Sequence, residues 1–186
     1  MKESSLNKII LEKKKFLFTI QRIVRQLIEN HGDFDNTCLI GIQDRGGFFA
    51  DRIYESLKKD IPELKLQFGK IDITFYRDDF RTSSSPLSAS KTEIDFLVEG
   101  KKVILFDDVL YTGRTINAAL AALQHYGRPS RVELAVMVDR RFNRELPITA
   151  DYIGTAIDAI NDAYVDVKWK QVDGDDRIIL RQKKIN

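Results

Sequence analysis

From about Leu6 to Asn30, apolar residues recur at helical spacing: Ile9, Ile10, Phe16, Leu17, Ile20, Ile23, Val24, Leu27 and Ile28, with Gly32 just beyond. The pattern predicts one long amphipathic helix, broken near the charged residues 13–15. On the face away from that stripe Lys8, Lys15 and Arg22 fall seven residues apart, flanked by Lys14 and Arg25. A solvated face accounts for these cations; an RNA-facing patch is the alternative.

The pattern then changes period. "TCLIGI" (Thr37–Ile42) is a short β-branched and apolar run, followed by the turn "QDRGG" and by "FFADRIYESLKKD", which has helical periodicity. "KLQFGKIDITFY" predicts a second strand region. "KKVILF" predicts a third strand, uniformly apolar as buried parallel strands are, and ending at Asp107 and Asp108. Ile116, Leu120 and Leu123 mark a helix closed by Gly127 and Pro129, and "RVELAVMV" gives a fourth strand. "AYVDVKW" and "DRIILRQ", separated by "DGDD", predict a terminal hairpin. Strands alternating with helices imply an α/β fold with a mainly parallel sheet, in which ligands sit beyond the carboxyl ends of the strands. Residues 77–100 fit this scheme poorly. Their centre, "RTSSSPLSASK", is polar and aperiodic, as in a functional lid or an inert surface loop.

Composition narrows the class. At 186 residues, 43% hydrophobic and 31% charged, the chain suits a single domain with a proper core. A formal charge of +2 does not by itself signal nucleic-acid binding, which depends on clustered cations. One cysteine, Cys38, excludes an internal disulfide, and with only His31 and His125 no structural zinc cluster is available. Cys38 reads as a small buried hydrophobe. The start of the chain lacks a secretory pattern, and no run approaches the roughly 18 apolar residues of a membrane span. These features predict a soluble cytoplasmic protein.

The candidate chemistry lies in "VILFDDVLYTGRT", residues 103–115. Two carboxylates leaving a sheet together repel and lose hydration unless something partners them. One can cap a turn while the other is solvated; otherwise the pair suits a metal or a polyol. In the turn that follows, Thr112 and Thr115 supply hydroxyls and Gly113 permits close backbone approach. The helix beyond opens with unpaired N–H groups and the positive end of its dipole, so the turn makes a phosphate cradle. It is not a Walker A loop, since G-x-x-x-x-G-K-[ST] is absent. Diol acceptors beside phosphate donors describe a sugar phosphate.

Four apolar residues, Asp-Asp, a short apolar spacer and Thr-Gly-Arg-Thr resemble the phosphoribosyl-pyrophosphate (PRPP) motif of type I phosphoribosyltransferases. With "DITFYRDD" (residues 72–79), "GRPSRVELAVMVDR" (127–140) and "RELPITADYIG" (144–154), the chain resembles the pyrimidine-operon regulator family, PyrR. Members of that family are described as RNA-binding attenuators that also carry uracil phosphoribosyltransferase activity.

The resemblance implies a type I phosphoribosyltransferase fold: a mainly parallel twisted sheet flanked by helices. It also implies one domain over 1–186, with a lid loop at about 77–100 and a small hood at about 139–160. It implies that Asp107 and Asp108 hold the ribose hydroxyls and that Val109, Leu110, Tyr111, Thr112, Gly113, Arg114 and Thr115 wrap the 5′-phosphate. "QDRGG" occupies the place of the pyrophosphate loop, with Asp44, Arg45 and Gly46; Arg45 would pair with pyrophosphate oxygens and Gly46 would allow an unusual backbone. Arg77 would close over the pyrophosphate. Val138, Asp139 and Arg140 would hold the base, although Asp139 and Arg140 also read as an ion pair. Asp107, Asp108, Arg45 and Arg77 are the implied catalytic set, with Mg²⁺ as cofactor and Asp107 and Asp108 as its implied protein ligands.

The implied reaction joins uracil to PRPP, giving UMP and pyrophosphate, with a pyrimidine-operon leader RNA as a further partner and a homodimer or larger assembly. A purine acceptor, or use of the site only as a nucleotide sensor in an attenuator, are the alternative readings. Three departures stand out: Asp44 puts a carboxylate beside an anion site, the segment 141–143 lengthens the hood by one residue, and residues 155–163 lack lysine and arginine.

Overall fold

The computed structural model describes residues 7–78, 90–158 and 163–181. Five parallel strands form the main sheet: β2 (Thr37–Ile42), β3 (Gln67–Ile71), β4 (Lys102–Leu110), β5 (Arg131–Arg140) and β6 (Tyr152–Ile157), in the order β3-β2-β4-β5-β6. A second, antiparallel sheet joins β1 (Asn7–Leu11), β7 (Tyr164–Lys168) and β8 (Arg177–Arg181) in the order β1-β8-β7. The helices are α1 (Lys13–His31), α2 (Arg45–Asp60), α3 (Arg114–Leu123) and the single turn α4 (Lys170–Asp173).

The continuous apolar runs of β2, β4 and β5 arise because both faces of the main sheet are covered. Leu39, Ile104, Phe106, Ala135 and Met137 face one core with α1 and α2. Their alternates Cys38, Ile40, Val103, Leu105, Leu134 and Val136 face the other core with α3. Cys38 is fully buried, and burial pushes its thiol up to about 11, so it packs as a hydrophobe. Trp169, fully buried, sits edge-on to Phe16 (5.1 Å between centroids) and stacks near Phe49 (5.9 Å), tying the small sheet to α1 and α2. Among the described residues, no helix is long and apolar enough to cross a membrane.

Three expectations change. The helix predicted from Leu6 begins only at Lys13, because Asn7–Leu11 pairs with β8, Lys8 opposite Leu180 and Ile9 opposite Ile179. Adjacent apolar residues such as Ile9 and Ile10 satisfy either period, and tertiary pairing decides. Lys8 therefore shares no helical face with Lys15 and Arg22, and the Arg22 guanidinium is engaged by the carbonyls of Ile153 (3.0 Å) and Gly154 (2.6 Å). Secondly, β4 does not end at the aspartates but runs through them to Leu110, pairing Asp107 with Val136 and Val109 with Val138. Thirdly, of the expected hood 139–160, Asp139 and Arg140 complete β5 and Tyr152–Ile157 adds strand β6, while 159 and 160 lie outside the described residues. The element that meets the end of β4 is β7 of the small sheet. The centre of the expected lid, 79–89, also lies outside the described residues; beyond it, Lys70 and Glu93 form an antiparallel bridge and Val98 is buried.

Candidate active site

Beyond the carboxyl end of β4 lies a cleft of about 450 Å³ that gathers Arg45, Arg77, Asp107, Asp108, the 109–115 turn and Arg140. A second hollow, about 680 Å³, continues from it past Asp44, Thr74 and Val172 and shares Arg45, Arg77, Asp107 and Asp108. Residues separated by more than 60 positions, Arg45 and Asp108, thus meet because β2 and β4 are neighbours and both turns leave the same edge.

Asp107 is buried, and its Oδ1 accepts the Asp108 main-chain N–H at 3.0 Å. Burial, then the neighbouring Asp108 charge, raises its carboxyl well above the usual range, with Arg77 acting the other way. Asp108 is half-buried; burial pushes it up to about 6 although Arg45 favours its ionised form. The pair is held ready for cationic or hydrogen-bonding partners, since ionising both carboxylates without a ligand is costly.

The turn after β4 is built on Gly113, whose φ of 95° lies in the left-handed region. A Cβ there would also come within 3.2 Å of Leu146 and 3.3 Å of Ile148. α3 starts at the next residue, so its first N–H groups border the cleft. The segment after β5 clamps the turn: the N–H groups of Glu145 and Leu146 donate to the Thr112 carbonyl at 3.0 and 3.1 Å, and Arg144 donates to the Tyr111 carbonyl. Arg114 lies exposed at the cleft margin, donating to Glu145 (2.6 Å) and to Asp78.

The "QDRGG" segment is divided differently from expectation. Arg45, Gly46 and Gly47 form the first turn of α2, and the unusual backbone lies before them, in the cis Gln43–Asp44 peptide. Gly46 is required by crowding: a Cβ at this position would lie 2.4 Å from the Phe106 carbonyl oxygen and 2.9 Å from the Asp107 Cα. Gly46→Ala is expected to lose ~1–3 kcal/mol or more, because α2 must move off β4. Thermal denaturation checks this, and an unchanged melting temperature would contradict the close approach. The Asp44 carboxylate accepts the Ser90 hydroxyl at 2.5 Å, and Gln43 donates to the Lys91 carbonyl at 2.8 Å. Arg45 donates from Nη1 to the Val167 carbonyl (2.7 Å) and to Asp173 (3.1 Å).

Among the residues expected to hold the base, Arg140 is buried and lines the cleft, its guanidinium carbon 3.9 Å from the centroid of the Tyr111 ring. Asp139 pairs with Arg144 (2.5 Å), which answers where its charge goes: the partner is Arg144, not Arg140. Val138 is fully buried in the core, and its side chain is not part of the cleft wall. Sequence reasoning missed a further stretch of the cleft wall, Tyr164 to Val167 on β7. Tyr164 is 66% exposed at the cleft margin, an aromatic ring whose cost of exposure is the one signal that marks it.

The phosphoribosyl transferase domain family matches residues 7–171 of the chain. The protein described as Bifunctional protein PyrR from Elusimicrobium minutum is 45% identical over 179 residues, covering 96% of this chain and 98% of that one. The one of that description from Haemophilus ducreyi is 42% identical, covering 94% and 97%. Among solved structures, a hypoxanthine phosphoribosyl transferase of Trypanosoma cruzi superposes with a TM-score of 0.71 at 16% identity, covering 98% of this chain and 94% of that one. One from Staphylococcus aureus superposes at 0.65 and 18%, covering 95% and 92%. At such identities these two establish the fold alone, whereas the matches in sequence go further. The chain belongs to the PyrR family and carries a type I phosphoribosyltransferase domain.

Proposed function

We propose that the protein transfers the phosphoribosyl group of PRPP to uracil, releasing pyrophosphate and forming UMP. The observation that carries this reading is the cleft itself: paired strand carboxylates beside a glycine–threonine turn at a helix start, with Arg45 and Arg77 across from them. Asp107 and Asp108 accept hydrogen bonds from the ribose diol, and the 109–115 turn receives the 5′-phosphate at the start of α3. Arg45 and Arg77 receive the pyrophosphate, the planar fork of arginine matching phosphate oxygens. Arg140, held over the Tyr111 ring, and Tyr164 both line this cleft, and they would flank the flat base.

In the reaction the C1–oxygen bond to pyrophosphate breaks, a bond from C1 to a uracil nitrogen forms, and the nitrogen loses its proton to solvent. The chain contributes positioning and charge stabilisation around a cationic ribose, and needs no covalent nucleophile. Among the described residues no group of three or more His, Cys, Asp or Glu side chains gathers as a metal cage. Two carboxylates in a phosphate site fit Mg²⁺, which binds through one or two carboxylates and completes its shell with water and ligand phosphates. Asp107 and Asp108 would hold it, and when bound it neutralises phosphate charge.

The ionised carboxylates are the diol acceptors, so kcat/KM for PRPP is expected to fall as pH drops through about 6, where Asp108 of the free protein takes up its proton. A profile flat from pH 5 to 8 would remove the diol role from Asp108. The function itself is tested by pyrophosphate release from PRPP and Mg²⁺ across uracil, hypoxanthine, guanine and adenine. Turnover with uracil is expected; turnover with purines alone would change the acceptor, and none with any base would end the enzymatic reading.

A second reading, regulatory binding of a pyrimidine-gene leader RNA, draws on the bifunctional description of the relatives and on Lys13, Lys14, Lys15 and Arg25, all exposed on α1. It predicts a steep loss of RNA affinity with salt, blunted by charge reversal at Lys14 and Lys15.

A further inference from the structure

Arg45 uses one terminal nitrogen for both its bonds, to the Val167 carbonyl at 2.7 Å and the Asp173 carboxylate at 3.1 Å. These are its hydrogen bonds among the described residues, and they leave the Nε and Nη2 donors for a ligand in the cleft that Arg45 lines. Asp173 is itself fixed. Its Oδ2 accepts the Trp169 main-chain N–H at 2.9 Å and its Oδ1 accepts Lys168 Nζ at 3.0 Å. Against the opposing effect of burial, the Trp169 N–H and the bonds from Arg45 and Lys168 hold its carboxyl down at about 2.

The same chain turn is tied to α2 twice. Arg52, seven residues along the helix, grips Asp176 at 2.9 and 3.2 Å and Gln171 at 3.0 Å. That tie is closed, its side chains 18% and 2% exposed, and it serves packing. The Arg45–Asp173 tie instead opens on the cleft, Arg45 being 41% exposed. A long arginine side chain loses rotamer freedom whenever it binds a ligand, and anchoring one nitrogen beforehand reduces that loss. The carboxylate would also repel an anion, but Lys168 beside it offsets that charge, so orientation is the larger effect.

Building on the transferase reading, we propose that Asp173 is a positioning residue for the leaving group. With the Val167 carbonyl it aims the two remaining edges of the Arg45 guanidinium at the pyrophosphate oxygens, so that the small sheet contributes to the pyrophosphate site as well as to the base side.

The test is a double-mutant cycle read by calorimetric titration of inorganic pyrophosphate with Mg²⁺. Asp173→Asn keeps the size of the side chain and an acceptor for the Trp169 N–H. It is expected to weaken pyrophosphate binding about tenfold and to raise KM for PRPP in parallel, leaving KM for uracil within roughly twofold. In an Arg45→Ala background the same change is expected to do nothing more. Asp176→Asn serves as the packing control, lowering the melting temperature while pyrophosphate affinity stays. If Asp173→Asn does not fold, Asp173→Glu, which shifts the carboxylate by one methylene, is read the same way. Unchanged or tighter binding, or an equal loss with and without Arg45, would overturn the proposal. Because the readout is binding, failure of turnover with every base would remove the transferase reading without deciding this cycle, and additive variants in an active enzyme would remove only the role of Asp173.

Discussion

Asp107→Asn is expected to give a protein that melts at a higher temperature than the parent and has lost on the order of 10²-fold or more in kcat/KM for PRPP. Both outcomes follow from one feature, a carboxylate buried on β4 with a second carboxylate next to it. Its folded-state carboxyl titrates above its unfolded value of about 3.9, so the folded chain pays for ionising it. That cost is absent below about pH 4, where both states are protonated, and grows as pH rises through the folded value. Stability of the ligand-free protein therefore declines across that window, and Asn, neutral throughout, removes the decline. The gain is read as melting temperature at pH 7, about 2–4 °C for each kcal/mol in a chain of this size. Asn can keep the bond from the Asp108 N–H but would accept less strongly from the proposed ribose diol. Asp107→Asn together with Asp108→Asn should abolish turnover, and near-normal kinetics in the double variant would refute the diol assignment.

Trp169→Ala carries the largest expected loss of stability, ~3–5 kcal/mol, or roughly 10 °C in melting temperature. The side chain is fully buried where α1, α2 and the small sheet meet, in contact with Phe16 and Phe49. The cavity left behind cannot collapse without moving β7, which forms one wall of the cleft. Trp169→Phe should cost much less, because the indole N–H is buried without a partner among the described residues and its removal relieves that loss. Equal melting temperatures for the Ala and Phe variants would show that the contact does not fasten the small sheet.

The site was most legible where a strong local pattern coincided with a topological rule. The apolar run into Asp107 and Asp108, followed by "YTGRT", could be placed at the end of a parallel strand from sequence because buried strands and helix starts both leave short-range marks. β1 was not legible: Ile9 and Ile10 fit a helix stripe, and only the distant partner Ile179 makes the segment a strand. β6 was invisible since its six residues hold Gly154 and Thr155 with weak alternation, and its strand character comes from pairing with β5. Position 154 tolerates only glycine for a similarly nonlocal reason, as a Cβ there would lie 2.3 Å from the Met137 carbonyl oxygen.

The other cleft wall was hidden for the same cause. Tyr164, Val165, Asp166 and Val167 form an ordinary alternating strand in sequence, and only the docking of Trp169 and the ties from Arg45 and Arg52 bring that strand over β4. Conversely, Val138 looked like a site residue through its place in "MVDR", yet its side chain points into the core and Arg140 is the member of that motif in the cleft. Motif spacing thus marked the β4 turn at one end of the cleft, while the β7 side depended on tertiary packing.

The proposed reaction makes a nucleotide from PRPP and uracil in this cleft. The most direct measurement follows PRPP by phosphorus NMR in the presence of the pure protein and Mg²⁺, with and without uracil. One UMP and one pyrophosphate are expected for each PRPP consumed, only when uracil is present. PRPP left intact beside uracil, or consumed equally in its absence to give ribose 5-phosphate, would contradict it.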